Sequence, residues 1–145
     1  MPVLTHEETR EFFEIMNRER KKASIIFSGK TEIAMHRAIQ FLYAGGKPYH
    51  CTAGDTLITV QPDGNLVPCR RMPIRVGNLM DTPLAELYEK SDLFRELRNG
   101  ISEGCSNCFY SKLCRGGLRC LSYAMTGDPF KADPSCWYAS GAAGT

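Results

Sequence analysis

No cysteine stands before Cys51, and no apolar run approaches the ~20 residues that a bilayer-spanning helix needs. No basic opening runs into an apolar block, so nothing reads as a secretory leader. These absences predict a cytoplasmic, reducing location and no membrane partner. Charge of one sign is scarce as well. With 18 Lys and Arg against 16 Asp and Glu, the net charge is +2, too small for a nucleic-acid footprint. The basic run Arg18, Arg20, Lys21, Lys22 reads as a solvated helix end that complements the helix dipole. With 3 histidines spread along the chain, the Ser, His and Asp residues form no hydrolytic constellation.

What is there is an ordinary globular chain. Its 145 residues, 43% apolar and 23% charged, suffice for one domain with a core of its own. Thr5 and Glu8 form a capping box that opens a helix with Phe12, Phe13, Ile15 and Met16 on its apolar face. Residues 23–27, ASIIF, read as a strand or a buried extended linker. A second helix is predicted from about Thr31 to Ala44. Met35, Ile39 and Leu42 form its stripe, Ala34, Ala38 and Phe41 widen it, and Gly45-Gly46 stops it. His6 and His36 read as surface or boundary residues.

Pro62-Asp63-Gly64 between Leu57–Val60 and Asn65–Val67 predicts a hairpin, with Gly64 supplying positive φ. Its second strand runs into Pro68-Cys69, which returns Cys69 to the neighbourhood of Cys51. Gly77-Asn78 reads as a turn, Thr82 as a helix cap before Pro83, and Ser91 as the cap of a further helix. Phe94 and Leu97 point inward from that helix, and Gly100 stops it. Leu121 to Met125 reads as one or two helical turns. The tail after Cys136 is small and polar. The fold class is thus α+β: a small cysteine-rich domain with a central β-hairpin, short helices and cysteine-bearing loops, preceded by two helices.

The 7 cysteines carry the chemistry. Cys51 and Cys69 flank the hairpin; Cys105, Cys108, Cys114, Cys120 and Cys136 follow at spacings x2, x5, x5 and x15. A C-x2-C pair such as Cys105 and Cys108 directs both sulfurs to one side of a turn. Structural zinc, iron–sulfur clusters and disulfides all use such thiols. A reducing compartment and an odd count disfavour disulfides. Spacing alone leaves zinc and iron open.

From about Tyr49 to Cys136 the sequence resembles the SPASM domain, the auxiliary-cluster domain at the C-terminal end of many radical S-adenosylmethionine enzymes. That family's pattern is C-x(9–15)-G-x4-C, then C-x2-C-x5-C-x3-C and a last cysteine. Here Cys51, 12 residues, Gly64, 4 residues and Cys69 are followed by Cys105, Cys108 and Cys114. VGNLMDTPLAELYEKSDLFRELR and TGDPFKADPSC also fit. There is one departure: Leu118 occupies the position of the family's next cysteine, and Cys120 stands two residues later. We take Cys120 as the displaced equivalent, with Gly116-Gly117 giving the backbone latitude to absorb the shift.

The resemblance implies two iron–sulfur clusters, of the 4Fe-4S type. Cys51, Cys69 and Cys120 would hold the first, which with three cysteines is expected to take another ligand, lack one, or be a smaller 2Fe-2S cluster. Cys105, Cys108, Cys114 and Cys136 would hold the second. His50, Asp55 and Asp128 are weaker candidates, better read as turn and cap residues. Arg70, Arg71, Arg115 and Arg119 flank ligands and would either offset cluster charge or lie exposed. The resemblance divides the chain into a helical linker at 1–48, an auxiliary-cluster domain at 49–138 and a tail at 139–145.

A radical S-adenosylmethionine barrel needs a C-x3-C-x2-C motif, which this chain lacks. S-adenosylmethionine and its own cluster would therefore belong to a barrel supplied in cis by a longer enzyme or in trans. A fragment of such an oxidoreductase is the favoured expectation. Its substrate would be a peptide, protein or small molecule, and ferredoxin or flavodoxin its electron donor or acceptor. The alternative is a zinc-stabilised interaction module without redox function. Residues after Gly100 hold few large apolar side chains, so metal should hold them. Chelation is expected to melt 101–136 while the helices near Phe12 and Met35 persist. Hydrogen exchange equally slow in both segments after metal removal would count against this.

Overall fold

The computed structural model describes residues 3–26 and 38–138. The α+β expectation holds among them. Helix α1 (His6–Ile26) opens on the anticipated capping box: Thr5 N–H donates to Glu8 Oε2 at 2.7 Å, and Glu8 N–H donates to Thr5 Oγ1 at 3.2 Å. Residues 23–26 continue this helix, so the strand or extended reading of ASIIF is corrected; Phe27 lies outside the described residues. Straight-chain Lys and Arg ahead of this segment favour helix, and a helix already nucleated extends readily through a few β-branched residues. The basic run consequently sits inside α1, and its last turn holds no basic residue.

Phe13 is buried against Ala38 and Ile39, with the Trp137 ring edge-on at 6.1 Å and Tyr43 stacked at 6.5 Å. Ile15, expected on the apolar face, is instead 40% exposed. Of the second predicted helix the described part is a turn at 38–40 and helix α2 (Phe41–Ala44), which Gly45 ends at φ 71°. Met35, Ala34 and His36 lie outside the described residues, as does the tail 139–145.

The sheet is antiparallel, in the order β1 (Thr59–Val60), β2 (Asn65–Val67), β3 (Gly77–Asn78). Thr59 pairs with Val67 and Val60 with Leu66, so the hairpin forms in the register its turn dictates. Gly64 turns it at φ 82°, and Asp63 Oδ1 accepts from Asn65 N–H at 3.1 Å. Gly77-Asn78 is a third strand rather than a turn. The Asn78 side chain donates to Asp63 O at 2.9 Å and accepts from Met80 N–H at 2.8 Å, which fixes this segment along β2. Gly77 is needed for closeness: a Cβ there would lie 2.5 Å from Leu87 Cδ2.

Helices α3 (Leu84–Lys90) and α4 (Asp92–Asn99) cover the sheet. The residue at the start of α3 is Pro83, and no side chain caps it, so Thr82 does not act as anticipated. Ser91 does: its Oγ accepts from Phe94 N–H at 3.2 Å while its own N–H donates to Leu87 O at 3.3 Å. Phe94 and Leu97 then point into a core with Ala53, Leu66 and Met72. Helices α5 (Ser111–Cys114) and α6 (Arg119–Thr126) complete the chain, the second starting earlier than anticipated and including Cys120.

Truncating Phe94, which is 0% exposed, should cost about 3–5 kcal/mol. Ser91→Ala should cost about 1 kcal/mol. Denaturant midpoints of the two variants would check that ranking.

Candidate metal centre

Seven cysteines are free thiols: three pack against one core, Cys136 packs against the other, and Cys105, Cys108 and Cys114 line a pocket with Cys136. Cys51, Cys69 and Cys120 all pack against the core around Phe94. Cys51 leads into a tight loop, in which Gly54 N–H donates to Leu57 O at 2.8 Å. Cys69 leaves β2 through buried Pro68 and pairs as a bridge with Met72. Arg71 N–H donates to Cys69 Sγ at 3.5 Å. Cys120 stands in the first turn of α6, on helix rather than strand. The two-residue shift from Leu118 therefore spans about 3 Å of rise, not the larger step of an extended chain. Leu118 packs against the core around Phe13, and its N–H donates to Asp133 Oδ2 at 3.0 Å.

The three thiols share one electrostatic environment. Burial pushes the Cys120 thiol up, and the charges of Cys51 and Cys69 add to this; Arg71 opposes, partly by hydrogen-bonding Cys120. Burial raises the phenol of Tyr49, and Cys51, Cys120 and Cys69 raise it further. Sequence reasoning missed Tyr49, because a lone tyrosine two residues before a cysteine carries no pattern. His50 is turned to Asp55, with Nε2 3.5 Å from Oδ2. Asp128 caps a turn through Phe130 N–H at 2.7 Å.

Cys105, Cys108, Cys114 and Cys136 line a pocket walled by Ile39, Phe41, Tyr110 and Tyr138. Cys108 N–H donates to Cys105 O at 3.1 Å, closing the C-x2-C turn, and Tyr110 N–H donates to Cys108 Sγ at 3.4 Å. The N–H groups of Gly116 and Gly117 bond Cys114, which lowers its thiol pKa, yet burial wins and holds it raised. These glycines are not spare latitude. A Cβ on Gly116 would lie 2.0 Å from Ser102 Oγ, and one on Gly117 2.6 Å from Asp133 Cβ. Burial pushes Cys105 up to about 11, with the neighbouring charges of Cys136, Cys108 and Cys114 adding to it and Arg119 opposing.

The arginines divide. Arg70 and Arg71 are exposed. Arg115, at φ 57°, donates to Arg98 O. Arg119 is 3% exposed and donates to Ser102 Oγ and Gly100 O, each at 2.7 Å, and to Pro129 O at 3.2 Å. Its inward position was not legible: a charged residue at a helix start reads as solvated.

Cysteine-rich loops gathered around two sulfur groups on a small α+β frame define a soft-metal-binding class of domain. Residues 51–109 match the SPASM family, an iron–sulfur cluster-binding domain. That segment belongs to this family, as its cysteine pattern implied. Cys114, Cys120 and Cys136 lie beyond the matched residues.

The chain is 32% identical over 132 residues to an AdoMet-dependent heme synthase of Methanosarcina barkeri, covering 90% of this chain and 35% of that protein. It is 33% identical over 90 residues to the AdoMet-dependent heme synthase of Nitratidesulfovibrio vulgaris, covering 61% and 24%. The chain thus spans about a third or less of the length of these relatives. The fold is similar to native anSMEcpe with bound AdoMet and Cp18Cys peptide (TM-score 0.57, 18% identity, 95% of this chain and 40% of that one). It is also similar to His6-tagged anSMEcpe with bound AdoMet (TM-score 0.60, 18% identity, 95% and 38%). Among the described residues no helix is long and apolar enough to cross a membrane.

The raised Cys105 thiol gives a pH prediction for the metal-free chain. A thiol ionising at 9.0 when unfolded and about 11 when folded favours the folded state fully below 9. That contribution is lost as pH rises through this window. Circular dichroism melts of metal-free protein from pH 8 to 11 should show falling stability, and Cys105→Ser should flatten the decline.

Proposed function

We propose that this chain is the auxiliary iron–sulfur domain of a radical S-adenosylmethionine enzyme and holds two clusters. Cys105, Cys108, Cys114 and Cys136 would hold one; Cys51, Cys69 and Cys120 would hold the other. The observation that carries this reading is the sorting of free thiols into a four and a three, with N–H donors on the sulfurs of both sets. The donor set fits the group. Thiolates are what iron–sulfur clusters take, and thiols this desolvated ionise readily only when a cation replaces the lost water.

Among the described residues no three His, Cys, Asp or Glu side chains converge as ligands of one ion. Zinc draws its four ligands to ~2.0–2.3 Å from a single centre, whereas a cluster spreads its cysteines over several irons. The match of residues 51–109 to an iron–sulfur cluster-binding family favours clusters over a zinc-stabilised module. The three-thiol set leaves one iron of a 4Fe-4S cluster to another ligand, or suits a 2Fe-2S cluster.

When bound, the clusters supply one-electron transfer. The chain's own residues set the conditions. Arg71 N–H and Tyr110 N–H donate to the sulfurs of Cys69 and Cys108, while the N–H groups of Gly116 and Gly117 favour the ionised form of Cys114 and the Arg71 side chain that of Cys120. Ile39, Phe41, Tyr110 and Tyr138 line the four-thiol pocket with apolar surface.

In this reading residues 49–138 are the cluster domain, 1–48 a linker from a barrel supplied in cis or in trans, and 139–145 a tail. The barrel would bind S-adenosylmethionine. The whole enzyme would be a cytoplasmic oxidoreductase served by a ferredoxin- or flavodoxin-like carrier. A small molecule of haem synthesis is the favoured substrate over a peptide. The relatives named for that reaction share 32% and 33% identity, against 18% for the peptide-bound neighbour.

Anaerobic reconstitution with iron and sulfide tests the reading. It should yield about eight irons per chain, or about six with a 2Fe-2S first site, and broad absorbance at about 400 nm. Cys108→Ala should lose the iron of one cluster and keep the other. Stoichiometric zinc in a colourless protein would favour the interaction module instead, and loss of all iron in Cys108→Ala would overturn the ligand partition.

A further inference from the structure

The four arginines near cysteines are not equivalent, and one of them touches both halves of the domain. Arg119 precedes Cys120 on α6, the helix that brings Cys120 to the three-thiol set. Its guanidinium reaches across to the loop that carries the four-thiol set. There it bonds Gly100 O and Ser102 Oγ, and Ser102 O accepts the N–H of Cys105 at 3.0 Å. A continuous path of contacts therefore runs from Cys120 through Arg119 and Ser102 to Cys105. Gly116 closes on Ser102 so tightly that a Cβ could not fit, which holds the serine in place.

Burying a guanidinium is unfavourable unless negative charge accompanies it. The groups that accept its hydrogen bonds are neutral: two carbonyls from Gly100 and Pro129, and one hydroxyl. The Phe130 ring lies 5.4 Å from its central carbon. Arg119 stands one residue from Cys120 of the three-thiol set, and it bonds Ser102, whose carbonyl accepts from Cys105 N–H of the four-thiol set. Three neutral acceptors would satisfy the donors but leave the charge uncompensated. Cysteines ionised by bound metal in both sets would compensate it, with the Glu96 carboxylate adding to them.

On the two-cluster reading given above, we propose that Arg119 is the counter-ion shared by both metal–thiolate sites, a fixed positive charge that raises the reduction potential of each. It is a positioning residue: it touches no cluster ligand directly and acts through the field at both sites. The bland alternative is a clip, in which the guanidinium merely ties α6 to the loop at 100–102. A clip depends on the fork of donors, whereas a counter-ion depends on the charge.

The full 145-residue chain, reconstituted anaerobically, separates the two. Arg119→Gln removes the charge, Arg119→Lys keeps it without the fork, and Ser102→Ala removes one acceptor. Midpoint potentials come from dithionite titration with mediator dyes. Low-temperature electron paramagnetic resonance distinguishes the two sites, and Cys108→Ala assigns the signals. Arg119→Gln should shift both potentials to more negative values, since a positive neighbour favours the reduced state. Arg119→Lys and Ser102→Ala should stay near wild type at both sites.

Iron-loaded Arg119→Gln with one or neither potential moved would overturn the proposal. So would Arg119→Lys behaving as Arg119→Gln does. Should Arg119→Gln lose its iron, the proposal stands only if Arg119→Lys retains both clusters at wild-type potentials, and it falls if the lysine variant fails as well. A wild-type chain that takes up no iron is a different failure, which removes the two-cluster reading itself and this inference with it.

Discussion

Thiols packed against an apolar core resist ionisation, and this constraint governs the arrangement of the chain. Burial raises Cys105, Cys114 and Cys120 together, and their sulfur neighbours raise them further. Each added thiolate makes the next one harder to form. The structure answers with donors rather than carboxylate-balanced ion pairs: backbone N–H groups at Gly116 and Gly117, Arg71 at Cys120, Tyr110 N–H at Cys108. The surface ion pairs, such as Arg10–Glu14 and Lys90–Glu86, are exposed and contribute little to this balance.

The two apolar cores are small, and each is tied to one sulfur set. Ala53, Leu66, Met72, Phe94 and Leu97 back the three-thiol set. Phe13, Ala38 and Ile39 carry Cys136 and Trp137 of the other. Neither core is large, so the loops between Gly100 and Cys136 rely on hydrogen bonds instead. Asp133 shows how: its carboxylate accepts from Leu118 N–H and Ser135 N–H, while its own N–H donates to Gly116 O. One buried acid thus fixes the loop around Cys114 and the loop before Cys136 at once.

Much of this was legible in the sequence where local chemistry decides. The capping box at Thr5 and Glu8, the hairpin at Gly64 and the cap at Ser91 each depend on a few neighbouring residues and formed as read. Cys120 packs against the same core as Cys51 and Cys69. What escaped was decided by tertiary contact. At 23–26 the cause is instead cooperative: β-branched Ile25 and Ile26 continue an established helix. Gly77-Asn78 looks like a turn in isolation and becomes a strand because Asn78 finds Asp63 and Asn65. Arg119 and Ser122 make the buried side of α6 polar, so hydropathy assigns that side to solvent.

The contact between Phe13 and Trp137 joins the first described helix to the last described aromatics. It gives the molecule an order in time. The three-thiol set is complete in sequence once Cys120 has been synthesised, but the four-thiol cavity needs Cys136 and its wall needs Tyr138. Translation at about 5–20 residues per second separates those events by on the order of seconds. Through that interval Phe13 lacks its last neighbour and Cys105, Cys108 and Cys114 lie in an unclosed pocket. In chain order, all the thiols that pack on the Phe94 core thus precede the residues Cys136 and Tyr138 that complete the other pocket.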